Sequence, residues 1–316
     1  MGNETNIVQP DLVVILGPTA SGKSALGIAL AQRFNGEIVS ADSRQVYRGL
    51  DIGTAKVTLE ERALVPHHLL DVVEPQEVYS VSQFQHAAIA AINAILQRGH
   101  QPLLVGGSPH YIQTVVDHFD IPTVPPQPEL RAQLEARPLD DLLAQLEQLD
   151  PQSASSIDRQ NPRRVIRALE VCLVTGQPFS QQRGTSNPLY RCLLLGIEWP
   201  RALLYQRIDS RIDERLQQGL VQEVQEQLAK GLSHERLDAF GLEYRFVSRW
   251  LRGEFTSEAE MVQRLKYASH DFTRRQLSWF RRDKRIVWLD GQANLVEQAT
   301  TAVQTFLKHT KEISTL

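Results

Sequence analysis

The sequence predicts an α/β fold in which a parallel sheet carries helices on both faces and an all-helical domain is inserted into the chain. Short apolar runs typical of buried strands alternate with segments of helical periodicity over most of the length. Between about Asp117 and Tyr190 the strand pattern stops, and proline-rich joints flank amphipathic segments. We therefore expect a core formed by residues 1–116 and 191–316, interrupted by a helical domain at 117–190.

The elements of the expected core follow from the period of their apolar residues. The runs that predict buried strands are Leu12–Leu16, Glu37–Ser40, Leu103–Val105, Leu193–Ile197 and Ile286–Leu289. The helical patterns are Ala25–Arg33, Arg201–Lys230 and Ala259–Arg282. Inside the interruption, leucines recur at helical spacing from Leu139 to Leu149, which favours packing over function.

Composition and charge exclude several classes of protein. The 316 residues can bury a sizeable core, and no apolar run is long enough to cross a bilayer. We expect a cytoplasmic, monomeric protein with no membrane contact and no obligate protein partner. The net charge of -3 argues against a protein that is basic all over. Two cysteines, Cys172 and Cys192, cannot form a disulfide framework or a zinc site by themselves.

Arginine is concentrated in two places in spite of the acidic balance. One cluster lies mid-chain at Arg159–Arg167, and the other lies near the end at Arg274–Arg285. Such clusters indicate contacts with a polyanion or, equally well, solvated helix faces.

A phosphate-binding loop follows the first predicted strand. The motif G-x-x-x-x-G-K-[ST] is matched in full, between a strand and a helix, by Gly17, Pro18, Thr19, Ala20, Ser21, Gly22, Lys23 and Ser24. Backbone N–H groups of this P-loop surround a phosphate chain, Lys23 adds a charge, and Ser24 is the expected Mg²⁺ ligand. The core is therefore expected to be P-loop NTPase-like, with Mg²⁺ as the cofactor.

The P-loop alone does not say whether the phosphates belong to ATP. Nucleotide-hydrolysing enzymes carry an acid at the end of a second buried strand, but here Pro102–Val105 is followed by Gly-Gly-Ser. Asp71 is a candidate substitute for that acid. A P-loop kinase, or a nucleotide-regulated binding module, therefore stays open at this point.

An acidic segment follows the second predicted strand. Asp42 lies just beyond Glu37–Ser40, and ligands of open α/β sheets bind outside the carboxyl ends of strands. Asp42 is thus a candidate general base beside the phosphate site, with Arg44 and Gln45 able to hydrogen-bond a planar acceptor. The alternative is that Asp42 only caps the segment after it.

An ordered set of motifs resembles the tRNA dimethylallyltransferase family, also called tRNA isopentenyltransferase. The landmarks are GPTASGKS, ADSRQVYRGLDIGTAK, HHLLDVV, YSVSQF, PLLVGGS, NPRRVIRALEV, RIDSRIDERLQQGLVQEV and RRQLSWFRR, spread over about residues 12–290. The P-loop is generic, whereas DSRQVYR together with DIGTAK is highly specific.

The resemblance implies transfer of a dimethylallyl group from its diphosphate to N6 of the adenine immediately 3′ of the anticodon. It implies that Asp42, Lys23 and Arg211 are catalytic and that Thr19–Ser24 hold the diphosphate. The tRNA contacts that it implies are Asp42, Ser43, Arg44, Gln45, Ser108, Arg131, Arg163, Arg164, Arg167, Arg274, Arg275 and Gln276. The partners are then tRNA, through its anticodon stem-loop, and dimethylallyl diphosphate.

Departures from the family pattern leave one further alternative. Pro109, Arg215, Glu243 and His270 stand where relatives commonly have other residues. An isopentenyltransferase acting on free adenine nucleotides shares the P-loop and the acid. The inserted domain and both arginine clusters favour tRNA over a mononucleotide.

Overall fold

The fold divides into two compact units. The computed structural model describes residues 9–122, 124–182, 184–185 and 187–313, without the side chains of 185 and 309–313. One unit, the core unit, comprises Met1–Val116 and Leu189–Leu316, and the other, the insertion, comprises Asp117–Pro188. The insertion thus ends two residues before the boundary expected from the sequence.

The core unit is built on a six-stranded sheet in which all neighbouring strands are parallel. Its strands are β1 (Asp11–Leu16), β2 (Gly36–Ser40), β3 (His67–His68), β4 (Gln101–Gly106), β7 (Arg191–Glu198) and β8 (Val287–Asp290). Two further strands, β5 (Phe119–Asp120) and β6 (Gly184–Thr185), belong to the insertion. The order across the sheet is β3-β2-β4-β1-β7-β8. The five strands predicted from apolar runs are therefore present, and β3 was missed because two residues show no period.

Helices cover both faces of this sheet, as predicted. They are α1 (Lys23–Arg33), α2 (Leu59–Leu64), α3 (Val81–Gln97), α4 (Pro109–Val116), α9 (Arg201–Gln217), α10 (Leu220–Ala229), α11 (His234–Asp238), α12 (Leu242–Leu251), α13 (Glu258–Phe280) and α14 (Leu295–Ile313). Alternate residues of β1 enter two different cores: Val14 packs with α3 and α4, whereas Val13 packs with α1 and α14. The sheet is buried on both sides, which explains the continuous apolar runs. No helix in the described ranges is both long and apolar enough to span a bilayer.

The predicted single helix Arg201–Lys230 is wrong, because two helices occupy this range. α9 ends at Gln217 and α10 begins at Leu220, with Gly219 between them at φ 102°. That left-handed conformation is accessible to glycine without strain, and it turns the chain. The turn lets α10 pack with α11 and α12 on Tyr47 and Leu50.

The insertion has its own helical core. Its helices are α5 (Pro128–Glu135), α6 (Leu139–Leu149), α7 (Pro151–Ser156) and α8 (Pro162–Thr175). Leu142, Leu146, Val165 and Leu169 are buried in one cluster, which confirms a packing role for the leucine pattern. The expectation of no strands is wrong in one detail.

Two very short strands close the base of the insertion. They are β5 (Phe119–Asp120) and β6 (Gly184–Thr185), and they form an antiparallel pair. The pair lies where the chain enters and leaves the insertion, so the two ends of the segment lie side by side. A two-residue ladder leaves no apolar period in the sequence, which is why it was not predicted.

Candidate active site

Three loops meet at the carboxyl edge of the sheet. The P-loop follows β1, Asp42 follows β2 and Ser108 follows β4, and these strands are neighbours in the order β2-β4-β1. Ser43 N donates to Ser108 Oγ over 3.1 Å, which joins the second and third loops. The parallel topology therefore assembles the residues that the sequence placed at separate strand ends.

The amino end of α1 offers unpaired donors to an anion. Its N-cap residue is Gly22, no side chain caps it, and its first turn contains no acidic residue. The first N–H groups of a helix have no partner within the helix, and its dipole is positive at this end. The P-loop and α1 together are an arrangement that binds phosphate groups.

Two side chains that the sequence analysis missed hold the P-loop from behind. Trp199 Nε1 donates to Ser21 O over 3.0 Å, and Arg207 Nε donates to Ala20 O over 2.9 Å. The Arg207 guanidinium also lies 4.3 Å from the Trp199 ring centroid. Because a trans peptide points its N–H opposite to its C=O, fixing Ser21 O aims the N–H of Gly22 away from Trp199.

Lys23 lies among charged groups inside the P-loop. Its ammonium donates to Pro18 O over 3.2 Å. Desolvation, with a smaller effect from the Arg211 charge, lowers the pKa of Lys23 to about 8, while Asp42 acts in the opposite direction. Lys23 and Asp42 are therefore close enough to interact electrostatically, and an arriving diphosphate stabilises the protonated lysine.

Asp42 has one carboxylate oxygen committed to the backbone. Its Oδ1 accepts a hydrogen bond from Arg44 N at 2.9 Å, so the alternative role of local capping is real. No hydrogen bond is formed by Oδ2 with any described residue. One oxygen thus orients the carboxylate, and the other can accept a proton from a ligand.

Gln45 is used within the chain. Its Oε1 accepts from Ser40 Oγ at 3.1 Å, and its Nε2 donates to Thr54 O and Ala55 O at 3.3 and 3.1 Å. Gln45 therefore connects the DIGTAK segment (Asp51–Lys56) to the end of β2. A tRNA contact by its side chain stays a prediction.

Glu223 of α10 fixes the other side of the DIGTAK segment. Its carboxylate accepts from the backbone N of Asp51, Ile52 and Gly53 at 2.8–3.0 Å, and from Tyr244 Oη at 2.6 Å. The sequence analysis did not identify this role, which depends on residues about 170 positions apart.

Arg211 lies one helical turn before a buried ion pair. On α9, Arg207, Arg211 and Arg215 are spaced four residues apart and share one face. Desolvation, followed by the charge of Arg215, lowers the pKa of Arg211 to about 10. No described residue forms a hydrogen bond or ion pair with the Arg211 guanidinium, so it is available to an anion.

Two departures from the family pattern are partners in this structure. Arg215 forms an ion pair with Glu243, and their side chains are only 7% and 20% exposed. A third departure, Pro109, occupies the first position of α4, where proline needs no N–H partner. These substitutions therefore preserve the fold around the site.

The polar groups at this edge suit Mg²⁺ only together with a phosphate ligand. No cluster of three or more histidine, cysteine or carboxylate groups suited to a metal occurs in the part of the chain that the structure describes. Mg²⁺ in phosphate sites keeps several waters and uses one or two protein ligands, a role open to the Ser24 hydroxyl. Asp71 is a poor substitute, because it is paired with Lys56 and Arg62 at 2.6 and 2.8 Å.

α13 presents a basic outer face and a polar inner face. Arg274 and Arg275 are exposed, and Trp279 is 37% exposed. Arg274 forms an ion pair with Asp271, whereas Arg275 has no described ion-pair partner. Gln276, predicted with them as an RNA contact, is instead only 6% exposed and faces the P-loop.

The four predicted arginines of the insertion fall into two kinds. Arg131 and Arg167 bind Glu170, whose side chain is fully buried. Arg163 and Arg164 are exposed at the start of α8 and form no ion pair with a described residue. The first pair thus has a structural role that the sequence did not predict, and the second pair is free to contact a ligand.

Comparison with known proteins shows the family to which this chain is related. A family model described as IPP transferase matches residues 45–283. The chain belongs to the IPP transferase family. It is 46% identical to a tRNA dimethylallyltransferase of Roseiflexus sp. over 94% of this chain and 98% of the relative. It is 44% identical to one of Thermomicrobium roseum, covering 94% and 92% of the two chains.

Solved structures extend the likeness to three dimensions. A tRNA isopentenylpyrophosphate transferase from Bacillus halodurans is 34% identical with a TM-score of 0.73, covering 98% of this chain and all of the other. A eukaryotic dimethylallyltransferase acting on tRNA gives a TM-score of 0.81 at 28% identity, covering 95% and 80%. These similarities confirm the tRNA dimethylallyltransferase family expected from the motifs, and they confirm the α/β fold. The roles of individual residues stay predictions.

Proposed function

We propose that this enzyme transfers a dimethylallyl group from dimethylallyl diphosphate to N6 of the adenine immediately 3′ of the anticodon in tRNA. The observation that carries the proposal is the placement of Asp42 beside Lys23 and the P-loop in a chain of the IPP transferase family. A carboxylate next to a diphosphate cradle matches the two needs of prenyl transfer, a proton acceptor and a stabilised leaving group.

Asp42 acts on the nucleophile. The lone pair of an exocyclic adenine amine is delocalised into the ring, so the amine attacks poorly unless its proton is accepted. In the proposed step the N6–C1 bond forms, the C1–O bond to diphosphate breaks, and the N6 proton passes to Asp42 Oδ2. The hydrogen bond from Arg44 N holds the carboxylate in orientation during this transfer.

The P-loop and its cationic neighbours act on the leaving group. The helix N–H groups, Lys23 and Arg211 would stabilise the negative charge that develops on the departing diphosphate. The Ser24 hydroxyl would hold Mg²⁺, which would supply further positive charge for the leaving group.

The anticodon stem-loop is the proposed acceptor. Its target adenine must leave the stack before it reaches Asp42, which costs a few kcal/mol that contacts to the rest of the stem-loop offset. The unpaired arginines Arg163 and Arg164, and Arg275 in the core unit, are suited to such contacts. A mononucleotide needs none of them.

The test compares acceptors at equal concentration with dimethylallyl diphosphate and Mg²⁺. We expect mass spectrometry to detect a product increment of about 68 Da, the mass of one C5H8 group, on an anticodon stem-loop and not on AMP, ADP or ATP. Equal rates on AMP and on the stem-loop would replace the proposal by the mononucleotide enzyme. Phosphorylated product from ATP would support a kinase.

A further inference from the structure

Gln276 connects two loops of the active site through a single side chain. Its Oε1 accepts from Thr19 N at 3.2 Å, and its Nε2 donates to Gly107 O at 2.7 Å. The orientation of the amide is fixed by chemistry, because a backbone N–H needs an acceptor and a carbonyl needs a donor. The residue is only 6% exposed.

The two loops are close together at this point. A Cβ added to Gly107 would lie 3.2 Å from Gly17 O and 3.3 Å from Lys23 Cε. The turn after β4 therefore lies against both the backbone of the P-loop and the stem of its lysine. The turn after β4 is thus one wall of the space that Lys23 occupies.

We propose that Gln276 is a positioning residue that holds the P-loop against the turn after β4, and that it is not an RNA contact. The inference deepens the proposed function and rests on it, since the loop positioned is the one that holds the donor diphosphate. Both polar ends of the side chain are occupied within the core unit. Its neighbours Arg274 and Arg275 on α13 are instead exposed.

Glutamine is the residue type that this position requires. Methionine has a similar length but neither donates nor accepts at these two points. Glutamate keeps the acceptor for Thr19 but loses the donor for Gly107. It also adds a negative charge beside a loop that binds an anion.

The test measures two ligands separately on Gln276→Met. Binding of inorganic diphosphate with Mg²⁺ is followed by calorimetry, and binding of an anticodon stem-loop by fluorescence anisotropy. We expect diphosphate affinity to weaken about tenfold and KM for dimethylallyl diphosphate to rise equally, because the loop is no longer pre-organised. The affinity for the stem-loop and its KM stay unchanged.

Gln85→Met is the matched control. Gln85 is likewise only 5% exposed, and its Nε2 donates to a backbone carbonyl, that of Thr114, at 2.8 Å, away from the P-loop. It is expected to lose stability while keeping diphosphate affinity. If both variants weaken diphosphate binding equally, the role of Gln276 is merely structural and the inference fails.

The remaining outcomes separate the inference from the proposed function. Loss of stem-loop affinity with unchanged diphosphate affinity would make Gln276 an RNA contact and overturn the inference. Failure of the unchanged protein to bind diphosphate would overturn the proposed function. Should the methionine variant not fold, Gln276→Asn gives the same comparison without a change of charge, because its amide is one methylene too short to reach both loops; a loss of diphosphate affinity is expected, and unchanged affinity would overturn the inference.

Discussion

Asp42 and Asp290 have the same local hydrogen-bond geometry in two different environments. Each follows or ends a parallel strand, and each accepts a hydrogen bond at 2.9 Å from the backbone N two residues later. Asp42 lies beside Lys23, whereas Asp290 is exposed at the end of the edge strand β8. Capping and chemistry can therefore be separated by comparing these two residues.

We predict that Asp42→Asn lowers the single-turnover rate by about 10² to 10⁴-fold, the range for loss of a general base. Asparagine retains the oxygen that Arg44 N needs, so folding and stem-loop affinity are expected to change little. Asp290→Asn is the control and should keep the normal rate. A normal rate in Asp42→Asn would remove Asp42 from the reaction.

Lys23 is expected to make the affinity for diphosphate depend on pH. With a pKa of about 8, the ammonium begins to lose its proton in the free enzyme just above neutrality. A diphosphate binds the charged form better, so we predict weaker donor binding as pH rises through about 8, by up to tenfold per pH unit. Calorimetric titration with diphosphate at several pH values on either side of this pKa measures the effect. Lys23→Arg is the control, because arginine keeps its charge over this pH range. Its affinity for diphosphate should not change with pH. A pH-dependent affinity in that variant would assign the effect to another group.

At the scale of elements, an ion pair between Arg215 and Glu243 links α9 to α12. Arg215 and Glu243 both depart from the family pattern, and each supplies the charge that the other needs. A buried charge left without its partner is strongly destabilising, whereas removal of both charges is tolerated. Loss of one charge is therefore expected to cost more stability than loss of both.

We predict that Glu243→Gln lowers the free energy of unfolding by about 3 kcal/mol, the lower end for breaking a buried pair. The double variant Arg215→Met/Glu243→Gln should recover at least half of that loss in urea denaturation. The exposed pair Arg249–Glu254 is the control, and Glu254→Gln should cost far less, because solvent screens an exposed ion pair. If the double variant is less stable than the single one, the two residues do not compensate.

Two cationic side chains lie at the amino end of α8, where the helix dipole is already positive. Arg163 and Arg164 occupy the first turn, where no acidic residue offsets them. This arrangement is unfavourable in the free protein and favourable once a phosphate arrives. It contrasts with Arg131 and Arg167 of the same unit, which both form ion pairs with Glu170.

We predict that Arg163→Ala/Arg164→Ala reduces the log–log salt slope of stem-loop binding by about 0.7 to 0.9 for each phosphate that the variant no longer neutralises. Fluorescence anisotropy at several salt concentrations gives the slope. Arg249→Ala/Arg252→Ala removes two arginines that are already paired and is the control. An unchanged slope in the first variant would make these arginines surface charges only.

At the scale of the whole molecule, the features that could be predicted from the sequence are those formed by consecutive residues. The P-loop is one uninterrupted motif, and the buried strands are uninterrupted apolar runs, so both were found. The supports of the site were not found, because they join distant positions: Trp199 reaches Ser21 across 178 residues and Gln276 reaches Thr19 across 257. Spacing carries no signal for such contacts.

The short ladder between β5 and β6 also bears on how the chain reaches its native state. β1 pairs with β7, and residues such as Asp11 and Arg191 are 180 positions apart, so the centre of the sheet needs a very distant encounter. An insertion that folds around its own core brings its two ends together. Its roughly seventy residues then contribute to the length of the loop only as much as a connection of a few residues would. The loop that β1 and β7 must close is thereby shortened, which lowers its entropic cost by roughly half a kcal/mol. We therefore expect early folding of the insertion to speed this distant pairing, since non-local pairings limit the rate at which such sheets form.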